Sequence, residues 1–140
     1  MARSADIEGF EHDWLGVDLA GHVGFFSSAG SGVAPGAYLD DMAAFERAIE
    51  VLGSMPKTTT ATCNQDLPPG HVDTWRAMAE RGLFSFDSDP LGGPYRLIAT
   101  PHAPVLVTDL PADIGRLLSR VILSGVRFAD TIEIDENLVP

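Results

Sequence analysis

Basic residues are scarce in this chain of 140 residues. Nine Lys and Arg stand against twenty Asp and Glu, a formal net charge of −11. An exterior of that sign repels phosphate backbones and anionic headgroups, so neither nucleic acid nor membrane is expected as a direct partner. It favours encounter with a cation or a basic protein, although acidity alone also serves solubility. Lysine is rarer still: Lys57 is the only one, and in a connector of prolines and threonines it reads as solvent-facing. A single cysteine, Cys63, excludes an intrachain disulfide and points to a reducing compartment, the cytoplasm. Its neighbours Thr60-Ala61-Thr62 and Asn64-Gln65-Asp66 offer no cation to activate it, so an inert thiol is expected. No window approaches 18 uninterrupted apolar residues, and Met1 to Asp6 lack the apolar stretch of a signal peptide.

What is present suits one globular domain spanning residues 1–140, with 1–12 as an N-terminal arm. The chain is 45% hydrophobic and 21% charged, too apolar for disorder and too short for two cores. From Trp14 to Ser27, two apolar runs flank a Leu19-Ala20-Gly21 turn, which reads as a β-hairpin. Gly16 and Gly24 inside its strands suggest close approach by other groups. Met42, Phe45, Ile49 and Leu52 then recur with helical spacing, with Asp40 and Asp41 in the first turn and Gly53 as the stop. The threonines at 58–62 could form a short strand, and a second helix fits Val72 to Arg81.

Leu83 to Asp87 and Tyr95 to Ala99 read as antiparallel strands, and Val105-Leu106-Val107 as a short buried one. Asp109-Leu110-Pro111 opens a third helix, with Ile114, Leu117, Leu118 and Val121 inward. The final run from Asp130 to Asp135 alternates, sending Ile132 and Ile134 in while Glu133 and Asp135 face water. Strands grouped as hairpins imply an α+β fold, a mainly antiparallel sheet packed by about three helices.

Reactive constellations are missing from this pattern. His12, His22, His71 and His102 are scattered, no CxxC or HExxH exists, and Asp87-Ser88-Asp89 lacks the rest of a calcium loop. No serine sits in a GxSxG elbow, and Gly30-Ser31-Gly32 has no Lys-Ser/Thr sequel for phosphate. Asp40/Asp41, Asp87/Asp89 and Glu133/Asp135 have simpler readings as helix-end or wet-face charges. No catalytic residue, cofactor site or metal ligand is therefore assigned. Such a chain is expected to work by binding. Charge and expected exposure pick out Asp87, Asp89, Tyr95, Glu133 and Asp135 as partner contacts, Tyr95 as an exposed aromatic anchor beside Gly93-Pro94.

The segment Asp13 to Gly30 carries Trp14, Asp18, Gly21 and Phe26 in a Trp-x-x-x-Asp-x-x-Gly-x-x-x-x-Phe pattern, followed by Val33-Ala34-Pro35. It resembles the opening of bacterial immunity proteins of polymorphic toxin systems. Gly82 to Asp87, Tyr95 to Pro101, Asp109-Leu110-Pro111 and Phe128-Ala129-Asp130 extend the likeness over most of residues 13–132. The resemblance implies a cytoplasmic, non-enzymatic protein that binds and neutralises one cognate toxin. A basic toxin such as a nuclease or deaminase would be matched by the acidic surface. Two other expectations stand beside it. One is a small enzyme or ligand-binding domain with a pocket under the Gly30–Gly32 loop; the other is a scaffold subunit, recognisable by a large apolar patch.

Overall fold

The computed structural model describes residues 12–28, 32–63, 72–88 and 93–140; the expected arm, apart from His12, lies outside them. β1 (Asp13–Asp18) and β2 (Val23–Ser27) form the hairpin, paired from Asp13↔Ser27 to Val17↔Val23. Gly21 turns between them at φ 82°, a conformation that L side chains resist. The Asp18 carboxylate locks the turn. Its Oδ1 accepts the Ala20 and His22 backbone N–H groups, both at 2.9 Å. Its Oδ2 accepts the N–H of Phe128, 110 residues away, at 2.8 Å.

α1 (Gly36–Asp40), α2 (Met42–Ser54), β3 (Ala61–Cys63) and α3 (Asp73–Ala79) follow. Next come β4 (Phe84–Ser88), β5 (Tyr95–Pro101), α4 (Ala112–Leu118), β6 (Ile122–Leu123) and β7 (Glu133–Ile134). The strands make one mixed seven-stranded sheet in the order β3-β5-β4-β2-β1-β6, with β7 beside β5. Parallel pairing is confined to β1 with β6 and β2 with β4, so the α+β, mainly antiparallel expectation holds. The described residues contain one more α-helix than the sequence suggests, the short α1.

Strand alternation divides the core into two layers. Leu15, Val17, Val23 and Phe25 face α2, α3 and α4. Trp14, Phe26, Phe84, Phe86 and Tyr95 form an aromatic layer on the other face. Trp14 stacks on Phe26 at 3.9 Å and Phe26 on Phe86 at 4.9 Å, across paired strands. Phe128, from a 3-10 turn at Phe128–Asp130, closes this layer against Phe26, Phe84 and Phe86. A Cβ on Gly24 would come within 3.0 Å of the Phe128 ring, which bears out the close approach expected there. Gly24→Ala should therefore cost about 1–3 kcal/mol through overpacking, measurable as a lowered urea midpoint with unchanged slope.

Several local expectations fail for identifiable reasons. Val105 to Val107 is not a strand: Leu106 makes one isolated bridge to His22, and a 3-10 turn follows at Val107–Asp109. Asp109 serves that turn, accepting the Leu106 N–H at 2.9 Å, instead of opening α4. Asp40 ends α1 and Asp41 breaks the chain before α2, so they do not form a helical first turn. α2 itself continues through Gly53 to Ser54. In the last segment the paired strand is only Glu133–Ile134; the Ile132 carbonyl still accepts the Leu97 N–H at 2.9 Å, but its side chain, expected inside, stands 78% exposed.

Tyr95 is also overturned: its side chain is fully buried and cannot anchor a partner. Its hydroxyl donates to the Val33 carbonyl at 2.6 Å and accepts from Trp14 Nε1 at 3.0 Å, while its ring meets Trp14 and Phe26 edge-on. Burial pushes the phenol's pKa up, as it does for Tyr38, which reaches about 12. Both stay protonated in the fold at pH values where the unfolded chain ionises. Their stabilisation is thus complete below the ordinary tyrosine pKa of 10.0 and is lost as pH rises through the folded values. Tyr95→Phe should flatten the fall in urea midpoint between about pH 9 and about pH 11, at the cost of about 1–3 kcal/mol near neutrality.

Candidate interaction surface

One edge of the sheet is built differently from the other. β3 pairs with β5 from Ala61↔Pro101 to Cys63↔Ala99, and β7 pairs with the same edge at Tyr95↔Ile134 and Arg96↔Glu133. On the opposite edge of β5, Ser85 pairs with Ala99 but Phe86 with Leu97. Ile98 is therefore an extra residue, a β-bulge lying level with the gap between β3 and β7. Such bulges re-aim side chains and interrupt pairing. The gap is an open notch of about 380 Å³, lined by Thr62, Cys63, Thr100, Leu97 and Ile98 and bounded by Arg96, Ile132 and Glu133.

Two charged side chains, Arg96 and Glu133, line this notch. Arg96 Nε lies 3.6 Å from Glu133 Oε1, with both side chains more than half exposed, a contact worth at most about 1 kcal/mol. Asp87, half-buried on β4, stands opposite Arg96 in register. Asp130, Asp135 and Glu136 are exposed around the same chain turn. Asp135 accepts the Asn137 N–H at 2.9 Å, and Glu136 accepts the Gly93 N–H at 2.7 Å. Of the expected partner contacts, Glu133 and Asp135 are thus exposed at one corner with Asp87 nearby. Tyr95 lies beneath it, and Asp89 is outside the described residues.

Two features here escape sequence reading. Ile132 reads as a core residue through its alternation with Ile134, yet it is the notch's most exposed apolar wall. Cys63 does have a cationic neighbour, for Arg76 Nε donates to its Sγ at 3.2 Å from helix α3. No local signal could reveal that pairing, which depends on how α3 lies over β3. Beside it, the His102 ring bridges the Thr60 and Thr62 hydroxyls, each at 2.6 Å.

No protein-family model, curated protein or solved structure matches this chain. The surface therefore has to be read from its own chemistry. Among the described residues no group of three His, Cys, Asp or Glu side chains could hold a metal ion. No described helix is long and apolar enough to cross a membrane. Of the glycine loop only Gly32 is among the described residues, and a Cβ there would meet Ser88 Oγ at 2.7 Å and the Tyr95 hydroxyl at 2.8 Å; Gly30 and Ser31 lie outside them. Another hollow, of about 470 Å³, lies between α2 and α3 over Phe25 and Met78. The two cations of its rim are engaged elsewhere. Lys57 pairs with Glu80 at 3.1 Å, and Arg81 donates to the Met55 and Ala77 carbonyls at 2.7 and 2.8 Å.

Proposed function

We propose that this chain is an immunity-type inhibitor, a cytoplasmic protein that binds one basic toxin stoichiometrically and blocks it without catalysis. The supporting observation is the corner at residues 130–136. In that stretch Asp130, Glu133, Asp135 and Glu136 are exposed, and Ile132, itself 78% exposed, stands with Glu133 beside a notch with an apolar floor. An apolar centre with a charged rim is the anatomy of a protein-binding patch. The carboxylates would speed association with a positive groove and confer salt dependence, while Ile132 and the notch would slow dissociation. A nuclease or deaminase has such a groove because its substrate carries phosphates.

Co-expression with each toxin-like product encoded beside this gene tests the reading. The expected outcome is restored growth with one neighbour, and a 1:1 complex that weakens as salt rises. Growth arrest by every neighbour despite abundant folded inhibitor would refute it.

A further inference from the structure

Resting on that reading, we propose that the notch between β3 and β7 is a socket for an arginine side chain carried by a loop of the basic partner. Its walls suit a long aliphatic stem, since Ile98 and Leu97 form the floor and Ile132 one side. Its rim offers the Glu133 carboxylate, which a guanidinium can engage through two parallel hydrogen bonds. Glu133 is free to turn because Arg96 holds it only loosely, at 3.6 Å. Asp87 on β4 is paired in register with Arg96, so a further carboxylate lies on the same face of the sheet.

The orientation is set by the one carboxylate among the lining residues. Arg76 donates to Cys63 Sγ at the opposite end, so an incoming guanidinium is drawn to Glu133, beside Arg96, rather than to Cys63. Its stem then crosses Ile98, the bulged residue, and shields Cys63. An acidic side chain would meet Glu133. A purely apolar one would bury that carboxylate without giving it a strong partner.

The chain's single thiol makes this measurable. The full chain is alkylated at Cys63 by N-ethylmaleimide in the presence of the blocked pentapeptide Gly-Leu-Arg-Leu-Gly or its citrulline or lysine counterpart. The arginine peptide should slow alkylation roughly fivefold when present at about four times its dissociation constant. It should also shift the amide resonances of Ile98, Ile132 and Glu133. Citrulline should do neither, and lysine should bind more weakly because it lacks the planar fork. Glu133→Gln should weaken arginine binding about tenfold, whereas Asp113→Asn on α4 should leave it unchanged.

Equal slowing by citrulline, equal binding of lysine, equal losses from both substitutions, or no slowing at all would each overturn the socket. Its failure is separable from that of the inhibitor reading. Toxin protection that survives both Ile132→Asp and Glu133→Gln removes the socket alone. Arginine binding without protection against any neighbouring toxin removes the inhibitor alone.

Discussion

Asp18→Ala is expected to destabilise the fold by about 3–5 kcal/mol, a large share of the stability of a small domain. The carboxylate is fully buried and holds three backbone N–H groups, those of Ala20, His22 and Phe128. Removing it orphans donors at both ends of the chain at once, each costing about 1–3 kcal/mol when water cannot replace the acceptor. Asp18→Asn should fall between the wild type and Asp18→Ala. Its amide can still accept from the hairpin turn but presents N–H to N–H at Phe128. Urea titrations of the three proteins check the order, and Asp18→Ala equal to wild type would contradict it.

That result bears on what the opening motif means. Trp14, Asp18 and Phe26 are all buried, and Gly21 supplies the turn. These residues hold the hairpin and its C-terminal cover together, so the opening pattern is made of fold-keeping residues.

Ile132→Asp should have the opposite profile. Ile132 is 78% exposed, so its replacement should change folding stability by no more than about 0.5 kcal/mol. At the centre of a docking surface, a charge in its place should cost at least about 2 kcal/mol of binding, roughly a 30-fold rise in dissociation constant. Growth protection should weaken or vanish although the purified variant melts like the wild type. Retained protection would remove Ile132 from the interface.

Where periodicity and turn chemistry agree, the fold was legible from the residues alone. The Trp14–Ser27 hairpin, the α2 stripe through Phe45 and Leu52, and the β4–β5 pair all emerged that way. Legibility failed where long-range packing decides. Tyr95 follows Gly93-Pro94 and looks like a loop aromatic, but two hydrogen bonds and two aromatic neighbours draw it into the core. Ile132 fits an alternating pattern, yet the strand that would enforce that pattern begins one residue later. The notch depends on a bulge at Ile98 and on two short strands meeting one edge of β5, neither of which leaves a local signal.

Backbone hydrogen exchange of the protein, free and mixed with each toxin-like product encoded beside its gene, tests the central claim most directly. The account predicts slowed exchange at residues 61–63, 96–99 and 131–136, with little change in α4, and a complex that yields no altered product of either chain. Protection centred on α2 and α4 with that edge unchanged, or chemical turnover of the toxin by this chain, would contradict it.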